Sequence, residues 1–345
     1  MIKTFPEAIT EAQLHNLKNN KKFLVIGLEV SYDETGLKKN FDKQVIETPV
    51  SELSYAGLAV GLATQGYSPF VHFGRLEFAM LAFDQIFTQA SRWDYMFGGN
   101  YQCPVTFKIQ IGRQWGNGPQ HTASYNSIFL NSVGLDLFIP STPQDCWDHI
   151  TYTSKNNSPS VILEHRWLLQ TSQNIIKKKI KKIPSGHFYE KKSSDTILVT
   201  YGDSLPDCLR SREILEEKGI NVSILNLSFF PKKKRFSKNI INKICKFKNI
   251  YFIDSAPFVG GILNSLSAEV SVFKNNLNIH HLSPPAIPCP TAPKLVYNYY
   301  LNYITIANEV LKNKKVKKFS KNILTFEDVH LWPKTIYSNN SKLIY

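Results

Sequence analysis

The 345-residue sequence predicts an α/β protein built of two successive layered units. Three observations lead there. Strand-like and helix-like runs alternate along nearly the whole chain, the pattern of helices packed on parallel sheets. The runs pause in a polar, basic stretch at about 170–195 that contains Pro184, Ser185 and Gly186, and then resume with a fresh strand. The length suits about two domains, each large enough for its own core.

The elements follow in order. An N-terminal helix precedes Phe23-Leu24-Val25-Ile26-Gly27, a buried strand. Thr48-Pro49-Val50-Ser51-Glu52 opens an apolar helix from Leu53 to Thr64 and places one carboxylate at its start. A strand at 69–73 leads to a helix near 78–90, with Phe78, Leu81, Ala82 and Ile86 at helical spacing. Strands are expected at 105–111, 137–139 and 160–163, and helices at 122–132 and 144–152. After the linker come a strand at 196–200, a helix at 206–218, a strand at 222–227, a basic helix and a strand at 250–254. Gly260-Gly261 starts another helix, a strand at 277–282 precedes a proline-rich segment, and the last helix covers 299–311. The tail has no clear period and is expected to pack as an arm. The expected domains are 1–185 and 186–325, with an arm at 326–345.

A net charge of +14 raises the question of nucleic acid. The charge is mostly lysine, in runs such as Lys177-Lys178-Lys179-Ile180-Lys181-Lys182 and Lys232-Lys233-Lys234-Arg235. No recognition helix, zinc finger or aromatic RNA-binding motif accompanies them, so they read as solvated surface, with docking of an acidic protein as the lesser reading. The five cysteines are scattered and odd in number, which argues against a disulfide framework and a zinc site. No metal ligand is assigned. No apolar run reaches the roughly 20 residues of a membrane helix, and the N-terminus lacks a signal-peptide pattern. The expectation is a cytoplasmic protein with neither nucleic acid nor membrane as partner.

Two acid/base groups stand out. Glu52 sits at a helix mouth, and His121 ends the glycine-rich stretch Gly112-Arg113-Gln114-Trp115-Gly116-Asn117-Gly118-Pro119-Gln120-His121. Each also has a plain explanation. A glutamate in a first helical turn interacts with the helix dipole, a loop histidine faces solvent, and Phe78 on an apolar helical face is core. No Walker A loop and no G-x-G-x-x-G fingerprint occurs.

Several strings in register decide between these readings: Thr48 to Glu52, Ala56-Gly57-Leu58-Ala59-Val60-Gly61, Ala82-Phe83-Asp84-Gln85, Gly98-Gly99, Gln120-His121 and Pro159-Ser160-Val161-Ile162-Leu163-Glu164. With Thr200-Tyr201-Gly202 and Asp254 before Gly260-Gly261, the chain from about Ile9 to Leu311 resembles the beta subunits of thiamine-diphosphate-dependent 2-oxo acid dehydrogenases, the pyruvate dehydrogenase beta-subunit type. The resemblance implies a transketolase-like pyrimidine-binding domain followed by a transketolase C-terminal-like domain. It implies thiamine diphosphate as cofactor, with Mg2+ held mainly by an alpha subunit. The alpha-chain Gly-Asp-Gly motif is absent here, its nearest string being Gly202-Asp203-Ser204.

The roles carried over are these. Glu52 hydrogen-bonds the pyrimidine nitrogen and promotes the imino tautomer that activates the cofactor. Phe78 stacks on the aminopyrimidine. His121 transfers a proton or stabilises charge, and Gln120 orients it. Beyond these carried-over roles, Gln120, Arg113 and Trp115 are the expected substrate-binding residues, the arginine pairing with a carboxylate. Many relatives carry two adjacent glutamates where this chain has Leu28-Glu29; the first position, near the cofactor in relatives, is apolar here, and Glu29 is the remaining cofactor-binding candidate of the pair. The implied protein decarboxylates a 2-oxo acid and transfers the acyl group as half of an α2β2 tetramer, with a lipoyl acyltransferase as a further partner. Two alternatives stay open. The Gly-Arg-x-Trp-Gly loop and Glu164-His165-Arg166-Trp167 resemble those of a branch serving specialised biosynthesis, such as surface sugars, which would make the chain a carboligase or non-oxidative decarboxylase subunit. Leu28 in place of a glutamate keeps open a catalytically silent interaction subunit.

Overall fold

The computed structural model describes residues 1–32, 35–113 and 116–320, and beyond them the short strands Ile336–Tyr337 and Leu343–Ile344. The first unit contains α1 (Phe5–Asn19), β1 (Phe23–Gly27), β2 (Val45–Glu47), α2 (Glu52–Thr64), β3 (Ser68–Phe73), α3 (Leu76–Ala79), β4 (Thr106–Ile111), β5 (Asp136–Phe138), α4 (Pro143–Thr153) and β6 (Ser160–His165). The second contains β7 (Gly186–Tyr189), β8 (Thr196–Tyr201), α5 (Leu205–Glu216), β9 (Ser223–Leu227), β10 (Phe229–Phe230), β11 (Asn249–Ile253), α6 (Ile262–Phe273), β12 (Asn278–Leu282), α7 (Pro293–Tyr299) and α8 (Tyr303–Asn313).

The first sheet runs β10-β5-β6-β4-β3-β1-β2. All of its pairs are parallel except β10 with β5. The second runs β12-β11-β8-β9-β7, parallel except at β7. Both sheets are covered by helices, so most of their central strand residues are buried, including the polar Lys108 and Glu164 of β4 and β6. A capping box, Thr4 with Glu7, starts α1. A second, Thr142 with Asp145, starts α4. These two helices cover one face of the first sheet through Phe5, Ala8, Ala12, Trp147 and Ile150. The other face joins α2 and the second unit in one continuous core that includes Ala56, Val71, Phe107, Leu163, Val199 and Phe252.

The structure corrects several expected boundaries. The helix near 78–90 is one winding run from Leu76 to Met96. It passes from α-helix to a 3-10 turn at Met80–Ala82 and a wide π turn at Asp84–Ala90 before returning to α-helix at Ser91–Met96. In the wide turn the Thr88 hydroxyl donates to the Asp84 carbonyl at 2.7 Å and also bonds the Asp84 carboxylate, local side-chain bonds that compete with regular winding. The helix expected at 122–132 shrinks to Asn126–Leu130, because the chain before it is tied down by other hydrogen bonds. The last helix starts at Tyr303, capped by Asn302, after the separate α7.

The basic stretch at 170–195 is more than a linker. Ser172–Asn174 pairs antiparallel with Ile2–Thr4, and β7 forms the antiparallel edge of the second sheet. Nor is the second basic run wholly solvated: Arg235 donates to the carbonyls of Ser132, Leu135 and Phe230 at 2.6–3.0 Å. In the expected arm, Ile336–Tyr337 lies parallel to Ser172–Gln173, and the Tyr337 side chain is buried. The five cysteines are free and buried. Among the described residues no helix is long and apolar enough to cross a membrane.

Candidate active site

Because β1 to β4 run parallel, the connections that leave their carboxyl ends gather on one rim of the sheet, the usual place for a site in an α/β layer. Glu52, Phe78 and His121 lie in the connections after β2, β3 and β4. Glu52 is the first residue of α2 and is buried. One helical turn on, burial and the Glu52 charge both raise the Tyr55 phenol. The Tyr55 ring packs against Phe73 at 5.2 Å.

Phe78 and His121 meet directly. Their ring centroids are 5.7 Å apart and their planes 67° apart, an edge-on contact. Phe78 stays 41% exposed, a large ring left open on this rim. The His121 Nδ1 is buried and has no hydrogen-bond partner among the described residues. Two residues just before Phe78 hold the histidine loop. Arg75 Nη1 donates to the His121 carbonyl at 3.4 Å, and Glu77 Oε1 accepts the Ala123 N–H at 2.9 Å. Arg166 is buried close by, and burial first, then Arg75, pushes its guanidinium down to about 10 against the pull of Glu164 and Glu77. Sequence reasoning missed Arg75 and Glu77, since no spacing marks a residue that acts through another loop's backbone, and it quoted Arg166 without giving it a role.

The other expected residues lie apart from this contact. Glu29 is exposed in a left-handed turn with φ of 61°. Its N–H donates to the Glu47 carboxylate at 2.6 Å, as does that of Ser31 at 2.8 Å. Gln120 is exposed and lines a cavity of about 420 Å³ between the loop at 119–125 and the second unit, with Ser255, Cys289, Tyr299 and Tyr300 opposite. Arg113 turns inward, with its guanidinium 3.7 Å from the Trp167 ring centroid and 4.4 Å from that of Tyr300. Its Nη2 lies 3.9 Å from the Asp207 carboxylate, at the outer limit of an ion pair. Trp115 lies outside the described residues.

Behind the rim is a buried polar row. The Lys108 ammonium pairs with Glu164 and lies 3.1 Å from His72 Nε2, and burial followed by Lys108 lowers the His72 imidazole far below its ordinary value. Gln110 Nε2 is 3.4 Å from Glu164. The strand register places these residues side by side, His72 opposite Lys108 and Gln110 opposite Glu164.

The residues present suit the aminopyrimidine half of thiamine diphosphate: an open aromatic face, a buried carboxylate at a helix start and an imidazole with an unpaired nitrogen on the same rim. The sequence holds no Gly-Asp-Gly string for the diphosphate half.

The transketolase pyrimidine-binding domain family matches residues 3–171, and the transketolase C-terminal domain family matches residues 188–303. The chain is 30% identical over 275 residues to the pyruvate dehydrogenase E1 component subunit beta of Rickettsia bellii, covering 77% of this chain and 84% of that protein. It is 31% identical over 232 residues to the same subunit of Staphylococcus epidermidis, covering 65% and 71%. It is 27% identical over 284 residues to the beta subunit of the acetoin:2,6-dichlorophenolindophenol oxidoreductase of Cupriavidus necator, covering 81% and 83%. Among solved structures, an inactive beta4 tetramer of a split-gene transketolase superposes with a TM-score of 0.71 at 17% identity, covering 91% of this chain and 99% of that one. With both domain families matched in order, and a relative 30% identical over most of its length, the chain belongs to the family of pyruvate dehydrogenase E1 component beta subunits.

Proposed function

We propose that this chain is the beta subunit of a heteromeric thiamine-diphosphate-dependent enzyme that decarboxylates a 2-oxo acid and passes on the acyl group. The edge-on pair of Phe78 and His121, on the same rim as the buried Glu52, carries the reading. When bound, thiamine diphosphate supplies the nucleophilic carbon and the electron sink that decarboxylation needs. Glu52 hydrogen-bonds the pyrimidine ring nitrogen from a site closed to water. Phe78 offers its exposed face for stacking. His121 moves a proton near the reacting atoms, a task suited to an imidazole at neutral pH. Gln120, Arg113 and Trp115 are assigned to binding the substrate.

The chain has half of what the cofactor requires. An alpha-type partner carries the Mg2+ and diphosphate site, in an α2β2 assembly with a lipoyl acyltransferase as acceptor. The exposed face of α2 supports such a partner. Leu53 and Leu58 stand out there, and a side chain added at Gly61 would meet nothing within 4 Å. The three relatives named above are dehydrogenase or oxidoreductase subunits, which favours acyl transfer over a carboligase or a silent subunit.

The test is purification of the tagged chain from its host, with assay of 2-oxo acid decarboxylation in the co-purified complex. A stoichiometric partner with Gly-Asp-Gly is expected, and Glu52→Ala should abolish turnover while leaving the melting temperature near that of the parent. Near-normal turnover in Glu52→Ala removes the mechanism.

A further inference from the structure

His121 sits on a loop with three positive-φ glycines, Gly112, Gly116 and Gly118, a backbone with wide conformational freedom. A group that transfers a proton must be held to within a fraction of an ångström of its productive position. Something other than the loop's own stiffness has to supply that precision.

The described residues supply it from one place, the start of α3. The Glu77 carboxylate accepts the Ala123 N–H at 2.9 Å, and Arg75 donates to the His121 carbonyl at 3.4 Å. The next residue, Phe78, touches the His121 ring. Three residues of one short segment thus hold the loop at His121 and at Ala123, on both sides of Thr122. The loop side cooperates: the Thr122 hydroxyl donates to the Gly118 carbonyl at 2.7 Å, and the Gly112 N–H donates to the Ala123 carbonyl at 3.4 Å.

The charges around this clamp alternate. Arg166 is in the electrostatic reach of Arg75, Glu77 and Glu164. Glu164 in turn pairs with Lys108. Removing the Glu77 carboxylate therefore costs a loop hydrogen bond and an anion in reach of Arg166.

We propose that Glu77, assisted by Arg75, is the positioning residue of His121, fixing the loop at 118–123 against α3 so that the imidazole and the Phe78 ring face the same cofactor. The proposal rests on the active-site reading above. Glu77 touches neither substrate nor cofactor in this role, and its effect on the reaction passes through the Ala123 amide.

The experiment uses the full chain in its co-purified complex and four variants: Glu77→Ala, Glu77→Gln, His121→Ala and the double variant Glu77→Ala/His121→Ala. Amide exchange of the Ala123 segment is read beside kinetics. Glu77→Ala should speed that exchange and lower kcat by roughly 10–100-fold, the cost of a small misplacement of a catalytic group, with KM little changed. Glu77→Gln keeps an acceptor oxygen for the Ala123 N–H and should restore both protection and most of kcat. In the His121→Ala background, Glu77→Ala should cost nothing further, since coupled residues lose their effects together. Additive losses, or wild-type exchange in Glu77→Ala, would overturn the proposal. If His121→Ala is itself fully active, the active-site reading fails, and the exchange measurement alone decides the clamp. Should Glu77→Ala not fold, Glu77→Met fills the same space without an acceptor and is read by the same criteria.

Discussion

A phenylalanine on an apolar helical face is ordinarily core, so the 41% exposure of Phe78 is the informative quantity at the residue scale. Its neighbours Leu76 and Ala79 are fully buried, which shows that the segment had room to hide an apolar side chain and did not hide this one. An open ring with His121 against its edge is suited to taking a flat partner on its face. Phe78→Ala should therefore weaken thiamine diphosphate binding to the assembled enzyme by roughly 2- to 10-fold, from the 0.5–1.5 kcal/mol typical of an aromatic pair, and Phe78→Tyr should leave it nearly unchanged. Calorimetric titration of the apo-complex reads both, and equal affinity in Phe78→Ala removes the stacking role. The candidate site was legible at this scale only where the order of motifs carried it. Glu52, Phe78 and His121 could be picked out by their strings. Arg113 could not be placed, because a loop position says nothing of where a guanidinium finds its partners; Trp167 and Tyr300, far along the chain, capture it. Glu77 and Arg75 act on backbone atoms, which have no sequence signature.

At the scale of elements, α2 shows how one helix serves two neighbours. Tyr55, Ala56, Ala59, Val60 and Ala63 are buried against the sheet. The opposite side carries Leu53 and Leu58, 54% and 49% exposed, beside Gly57 and Gly61. Glycine in a helix interior costs roughly 0.5–1 kcal/mol relative to alanine, and here the space beyond Gly61 is open, so nothing among the described residues requires it. Close approach by the proposed partner would. Gly61→Leu should leave the isolated subunit as stable as the parent, or slightly more so, and prevent it from capturing its partner. Thermal melts and co-purification measure the two effects, and a variant that still assembles fully shows that this face is not the contact. The strands and most helices were legible because apolar runs and helical spacing record them directly. The changes of winding between Leu76 and Met96 were not, since they depend on the local bonds of Thr88 to Asp84 and on the stacking of Phe87 with Phe129 at 5.5 Å.

For the molecule as a whole, the expected break near the linker is bridged by shared structure. The strand β10 leaves the second unit to pair with β5 of the first sheet. The Ser141 hydroxyl and Asn226 meet at 2.8 Å, and Asn126 reaches the Tyr201 hydroxyl at 3.2 Å. One titratable bridge is His165 with Asp203, at 3.2 Å between imidazole Nε2 and carboxylate. The His165 Nδ1 accepts the Trp167 N–H at 3.3 Å, which assigns the ring proton to Nε2, donating to Asp203. The imidazole is thus neutral, packed against Gly112, where any side chain would lie 2.2 Å from the ring. Burial, opposed by Asp203 and assisted by Arg113 and Arg166, pushes its pKa down to about 4 from the ordinary 6.5. In the unfolded chain the same histidine takes up a proton as pH falls through about 6.5. The contribution of His165 is therefore fully present above the unfolded value and is lost as pH falls toward the folded value of about 4. The buried His149, also pushed down to about 4, adds to the same slope. Stability should fall between those limits, and His165→Gln should flatten the fall without abolishing it. Urea midpoints measured at several pH values across the window, for the parent and the variant, give the comparison. Parallel slopes would mean that this bridge is not held by a neutral imidazole.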